Sequence, residues 1–524
     1  MLLNAMIVNW LTQLKMAGLL RLSLSTSSKS TLLVGGLALF SRLLGFLRDV
    51  LIAHYFGVTL ATDAFFAAFR FPNLLRRLFA EGAFAQAFMP VLAVSDTQAS
   101  TPAHQQAINT LATQLSVLML GITVLGILLA PLLIGLFAAG FDWQSPQHQL
   151  ATQLLQIMLP YGFFITLTAF MGSVLNAHAH FALPAFTPAL LNISMMGATC
   201  WLTPYFQPPI IALAVGVFIG GVLQLALQMQ GLRKLGVLPV LQRNAHHSQA
   251  RPLLRRVTPT LFANSATQIN FIINTLIASF LATGSVSWLY YADRLIEFPS
   301  GILGTALTSV MLPKLAKSHA NHAHDTFSQT LDWGIHLAIL LGAPATVGLY
   351  LLAEPILSVL FQSAEFTASD VHACAQTLRA YTLGLMGFLT VKVLTPALTS
   401  RHIHRVAVRY TWFCLIVNLI LAILLARFFT HWGIALASAL STSLNALVLL
   451  FFLVKKRHYA PSKKWYLRSV QILFSSAVLV ETLNYFSHFA VWTPFYLLKS
   501  VAIGGASYFA SLLLSGYFYT EQKK

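Results

Sequence analysis

Arg42, Arg48 and Asp49 lie in the apolar run 30–56, and Asp63, Arg70, Arg76, Arg77 and Glu81 lie in the next, 60–94. An ionised side chain at the centre of a bilayer costs roughly 2.5–3.5 kcal/mol. So many charges in two neighbouring spans argue against a lipid-facing arrangement. They predict a water-filled, cationic cavity between helices that holds an anion. Phosphate suits such a cavity, because the planar guanidinium fork binds its oxygens in a bidentate way.

Spacing sorts these charges by face. Seven residues make nearly two helical turns, so Arg42 and Asp49 share a face, with Arg48 beside them, and Asp63, Arg70 and Arg77 form a second stripe. Glu81 follows Arg77 by four residues, the spacing of a helical ion pair. Pro72 removes a backbone hydrogen bond just after Arg70 and is expected to bend its helix. A later apolar run adds Asp293, Arg294 and Glu297, followed by Pro299. Other placements compete. Arg76 and Arg77 could snorkel to the cytoplasmic headgroups, Arg48 could snorkel outward, and the Arg294 group could be a purely structural ion cluster. Arg42, about twelve residues into its span, has the poorest escape and is the first candidate for the cavity. Arg379, Lys392, Arg427 and Lys499 are isolated and read as interfacial.

The elements that must position these groups follow from composition. Of 524 residues, 57% are hydrophobic and 9% charged, and the mean hydropathy is +0.73. That profile belongs to membrane spans, not to a soluble globule. Fourteen apolar segments are long enough to cross: 30–56, 60–94, 106–138, 150–178, 184–205, 208–235, 253–282, 286–316, 327–361, 368–399, 405–428, 431–455, 465–490 and 493–519. With the N-terminus in the cytoplasm, the even-numbered connections carry the Lys and Arg, among them Arg233, Lys234, Lys314, Lys317, Arg401, Lys455 and Lys456. The odd-numbered ones carry none, but hold Asp142, Glu365 and Asp370. This is the positive-inside pattern with both termini cytoplasmic. It also accounts for the net charge of +18 without nucleic acid. Residues 1–29 read as a cytoplasmic extension, either an amphipathic helix on the membrane or an over-long start, and not as a cleaved signal.

An internal repeat divides the chain. Leu51–Phe56 resembles Leu276–Leu281; Arg70 follows the first block by 19 residues and Arg294 follows the second by 18. Met89-Pro90 and Leu312-Pro313 continue the series. Blocks six helices apart share one orientation, so the repeat is parallel, about an axis along the membrane normal. The expected organisation is a first lobe at 30–235, a cytoplasmic linker at 236–252, a second lobe at 253–456, and two further helices with the C-terminal tail at 457–524. The fold class is all-α integral membrane.

Other chemistries find little support. Cys200, Cys374 and Cys414 are scattered in apolar segments and form no disulfide framework. Histidine pairs such as His178/His180 and His402/His404 have poor ligand spacing and poor acid partners, so no metal is expected. No phosphate-binding glycine loop argues for direct ATP use, and no Ser/His/Asp set argues for catalysis. No cofactor is expected. A membrane glycosyltransferase would need carboxylates on a long loop, and the longest, about residues 236–252, has none. A related exporter of drugs or of another lipid-linked glycan, and a non-transporting scaffold, are the remaining alternatives.

Several motifs together resemble one family. Ser41-Arg-Leu-Leu-Gly-Phe-Leu-Arg-Asp49, Ala61-Thr-Asp-Ala-Phe-Phe66, Phe71-Pro-Asn-Leu-Leu-Arg-Arg77, Ala80-Glu-Gly-Ala-Phe84 and Trp288-Leu-Tyr-Tyr-Ala-Asp-Arg-Leu-Ile-Glu-Phe-Pro299 look like the MurJ (MviN) family. These are lipid II flippases of the multidrug/oligosaccharidyl-lipid/polysaccharide (MOP) exporter superfamily. The resemblance runs from about residue 30 to the C-terminus. It implies two six-helix lobes in a V around a cationic cavity, with two extra helices forming a lipid-accessible groove. It implies a bacterial inner-membrane protein, read as a monomer, whose partners are membrane lipids and lipid II. That substrate is an undecaprenyl-diphosphate-linked disaccharide-pentapeptide, moved to the outer leaflet for peptidoglycan synthesis. A coupling cation or the membrane potential would bias the cycle. The family's functional charges fall on Arg42, Arg48, Asp49, Asp63, Arg76, Glu81, Arg294 and Glu297. Arg70 stands where close relatives often have lysine. The expected mechanism is alternating access. In it Arg42, Arg48 and Arg294 grip the diphosphate, Asp49 orients them, and Arg76, Arg77 and Glu81 line the cytoplasmic gate.

Overall fold

A computed structural model describes residues 26–79, 102–242, 268–321, 323–401, 403–462, 465–487 and 492–517. Glu81, Met89-Pro90, most of the N-terminal extension and the basic residues Arg243, Arg251, Arg255 and Arg256 lie outside the described residues. Among those described there is no strand.

The helices start and stop where local chemistry directs. Helix α1 (Thr26–Phe56) ends at Gly57, whose positive φ of 57° begins a tight turn into α2 (Leu60–Phe79). Helix α2 continues through Pro72. Helices α3 (Pro102–Leu128), α4 (Ala130–Phe137), α5 (Pro146–Met158), α6 (Pro160–Ala177), α7 (Ala182–Gly197) and α8 (Ile211–Lys234) follow. At α5, the Ser145 hydroxyl caps the His148 amide and Pro146 occupies the first turn, where its missing N–H costs nothing. The second half holds α9 (Gln268–Ser279), α10 (Ser285–Ala320), α11 (His324–Leu351), α12 (Ala353–Phe361), α13 (Ala368–Thr382), α14 (Leu385–Ser400) and α15 (His404–Lys455). Thr367 and Asp370 form a capping box at α13. Helix α15 is broken at Thr430 (φ 52°, ψ −134°), and Ser441 bonds back to the Cys414 carbonyl, so it contains two antiparallel helices. Helices α16 (Trp465–Ser487) and α17 (Pro494–Leu514) close the chain.

By length and composition, eight continuous helical stretches among the described residues can cross a membrane, with α5–α6 and the broken α15 each counted once, or nine if α13 and α14, bent by 41°, are one span. Helices α1 and α2 are not among them, although they carry the central charges. The count of fourteen therefore rests on the sequence. Cys200, Cys374 and Cys414 are free thiols.

Packing divides the molecule by depth. At one end the two halves share a single core. Ile52, Phe65, Phe66 and Met158 from the first half join Tyr290, Tyr291, Phe361 and Phe366 from the second. Phe66 stacks on Tyr290 with ring centroids 3.9 Å apart. The backbones come equally close. A Cβ at Gly57 would sit 2.0 Å from the Glu365 carbonyl oxygen, and one at Gly140 would sit 2.3 Å from the Ser279 backbone. At the other end each half has its own core, around Ile108, Leu111 and Phe170 in the first and around Met311, Phe327 and Leu453 in the second. Two halves fused at one end and separately packed at the other form a V. Helices α16 and α17 pack outside it, on α11, where the Tyr508 hydroxyl donates to the Leu340 carbonyl at 2.9 Å.

Candidate functional site

A cavity of about 480 Å³ lies between the halves, walled by α1, α2, α7 and α10. Its lining includes five arginines (Arg42, Arg48, Arg76, Arg77 and Arg294) against two carboxylates, Asp49 and Glu297. The sequence-derived residues Asp63 and Arg70 are not part of this wall, and Glu81 lies outside the described residues.

The charges form a chain across the halves. Arg48 donates through Nε and NH2 to Asp49 Oδ1 at 3.0 and 2.6 Å, and through NH2 to the Tyr290 hydroxyl at 3.1 Å. Its NH1 donates to Asn192 Oδ1 at 3.0 Å and faces Met195 Sδ at 3.7 Å. The buried Asp49 also pairs with Arg294, whose Nε is 3.0 Å from Oδ2. Arg294 NH1 then reaches Glu297 Oε2 at 2.8 Å, and Arg77 NH2 reaches Glu297 Oε1 at 2.9 Å. Arg76 bonds Asn73 through Nε and NH2 at 3.2 and 2.9 Å. Arg42 differs from all of these. It is exposed, lies against Gly301 (a Cβ there would be 3.1 Å from NH1), and has no hydrogen bond or ion pair among the described residues.

Two expectations take a different form. All five N–H groups of Arg48 are engaged inside the protein, so in this conformation it holds Asp49 and has no donor left for a ligand. Asp63 is a cap. Its carboxylate accepts from Gly284 N at 2.7 Å, Ser287 N at 2.9 Å and the Ser287 hydroxyl at 2.6 Å. It thereby satisfies the start of α10 from the opposite half and complements the helix dipole. The repeat-related arginines reach across reciprocally: Arg70 of the first half donates to Thr275 of the second at 2.9 Å, and Arg294 of the second meets Asp49 of the first.

The sequence missed three members of this region. Asn192 links Arg48 to the Ser41 carbonyl, which it reaches at 3.0 Å, beside Gly45. Its signal was a lone amide in an apolar run. Tyr290 bonds Asp49, Arg48 and Arg294 at once. Lys392 is not an isolated interfacial cation. Its stem lies 3.2 Å from where a Gly304 Cβ would be, and it is within electrostatic reach of Glu297, Arg77 and Arg42. Among the described residues, no group of His, Cys, Asp or Glu is placed to hold a metal.

Two helical halves meeting at one end over a charged central cavity define a membrane-transporter fold. The solved inward-facing structure of a multidrug resistance MATE family transporter of the MOP superfamily shares that fold, with a TM-score of 0.65 at 13% identity over 82% of this chain and 98% of that one. A solved structure of the lipid II flippase MurJ in an inward closed conformation matches at a TM-score of 0.81 and 28% identity, covering 94% of this chain and all of that one. The sequence model "Lipid II flippase MurJ" matches residues 52–503. The probable lipid II flippase MurJ of Vibrio cholerae is 38% identical over 503 residues, 93% of this chain and 96% of its own length. The lipid II flippase MurJ of Burkholderia cenocepacia is 36% identical, over 94% and 98%. The chain belongs to the MurJ lipid II flippase family.

Proposed function

We propose that this protein carries lipid II, a polyprenyl diphosphate bearing a disaccharide-pentapeptide, from the inner to the outer leaflet of the bacterial inner membrane by alternating access. The observation that carries this reading is the arginine surplus in a cavity whose walls come from both halves. A volume near 480 Å³ suits a diphosphate with its nearest sugar. The polyprenyl tail stays in lipid, along α16 and α17. Arg42, Arg76, Arg77 and Arg294 take the phosphate oxygens. Arg48, Asn192 and Tyr290 fix Asp49, which aims Arg294. The work is binding and movement, and no bond in the substrate is broken. The protein acts as a monomer, with the membrane potential or a coupled cation biasing the cycle.

Orientation follows from the basic loops. Lys317 and Lys455 close the helices beside the separately packed core of the second half, and by the positive-inside pattern this supports a cytoplasmic position for that end and for both termini. Fourteen spans and lobes at 30–235 and 253–456 fit this topology. The fused end is then the outer gate, and Asp63 is one of its latches. Asp63→Ala would orphan the start of α10, at a cost of about 1–3 kcal/mol. Spin labels across the outer gate should then report a larger open population than in the wild type. An unchanged distance distribution would remove Asp63 from the gate.

The functional test is rescue of a flippase-depleted bacterium. Arg42→Ala and Arg294→Ala, expressed at wild-type levels, are expected to fail. Full rescue by both would defeat the proposed site.

A further inference from the structure

The two carboxylates on the cavity wall are held very differently. Asp49 is 1% exposed and Glu297 is 40% exposed. Glu297 also has a particular geometry. One of its oxygens takes Arg77 at 2.9 Å from the first half, and the other takes Arg294 at 2.8 Å from its own helix. Two oxygens of one anion shared between two arginines from opposite halves is the arrangement a phosphate would make in the same place.

We propose that Glu297 is an internal stand-in for a substrate phosphate. It occupies Arg77 and Arg294 while the cavity is empty and yields them to the diphosphate when it enters. This rests on the reading that the cavity takes a diphosphate. Exposure decides which carboxylate exchanges. The Glu297 carboxylate is 40% exposed while Arg77 and Arg294 are 15% and 21% exposed, so the carboxylate can return to water when another anion takes the arginines, whereas Asp49, 1% exposed, cannot lose its partners without stranding a charge. Arg42, with no hydrogen bond or ion pair among the described residues, offers the first contact, and the Glu297 exchange follows. The tie between halves is kept throughout, first through the carboxylate and then through the ligand. When the substrate leaves, Glu297 returns, so the empty carrier resets without bare guanidinium groups facing each other across the cavity.

The distinguishing signature is opposite effects on binding and turnover. Glu297→Gln keeps the shape and removes the competing charge. In purified full-length protein in nanodiscs, it is expected to bind geranylgeranyl diphosphate about five- to tenfold tighter than the wild type. In proteoliposomes it should flip lipid II several-fold more slowly, because release lacks the returning carboxylate. A purely structural glutamate would weaken both. Affinity equal to or below that of the wild type, with wild-type binding intact, overturns the stand-in role and leaves the diphosphate reading standing. Failure of wild type and variant alike to bind, with unchanged melting, overturns both. Should Glu297→Gln not fold, Glu297→Asp decides: its retracted carboxylate should raise affinity by a smaller factor, and no rise overturns the proposal.

Discussion

Arg42→Glu is expected to reduce lipid II flipping in proteoliposomes by about 100-fold or more, with no change in melting temperature. Arg42 is exposed on the cavity wall and has no hydrogen bond or ion pair among the described residues, so its loss removes no internal contact. Its value lies in the ligand. Losing charge-assisted bonds to a phosphate costs about 1.5–3 kcal/mol each, and 1.4 kcal/mol is about tenfold in affinity. Reversal adds repulsion between a carboxylate and a diphosphate. Arg42→Lys keeps the charge, loses the fork, and should fall between the two. A variant that flips normally would show that the freest cation in the cavity is not used.

Asp49→Ala is expected to act in the opposite sense, on the fold first. Asp49 meets Arg48, Arg294 and Tyr290 in a buried site. Removing it strands the buried Arg48 charge and frees Arg294 from its aim. Breaking a buried pair in this way costs about 3–5 kcal/mol. Thermal unfolding of the purified protein should show a clear drop, and yield in the membrane should fall with it. Asp49→Asn, which can still accept from Arg48, should lose less. Normal melting of Asp49→Ala would mean that water already shares the site.

Much of this site was legible in the sequence, because a charge inside an apolar span has few places to go. Arg42, Arg48, Asp49, Arg76, Arg77, Arg294 and Glu297 line one cavity. Arg294 and Glu297, three residues apart on one helix, pair at 2.8 Å. What spacing cannot show is which donors are already engaged. Arg48 looked like a ligand-gripping arginine, yet its partners Asn192 and Tyr290 are 144 and 242 residues away. Asp63 shares a helical stripe with Arg70 and Arg77, but it sits at the turn where α2 begins and meets the start of α10 instead of the cavity. Arg77 was paired by spacing with Glu81, while the described contact is Glu297 from the other half. Periodicity along one helix constrains faces. It carries no information about what a second helix brings to that face.

The most direct test of a diphosphate held by arginines from both halves is a solid-state ³¹P–¹⁵N dipolar measurement on lipid II bound to arginine-labelled protein in bilayers. Coupling should correspond to separations of about 4 Å, the range of an arginine–phosphate pair. It should weaken in Arg42→Lys and again in Arg294→Lys. Bound lipid II whose phosphorus shows no coupling to any guanidinium nitrogen would contradict the account.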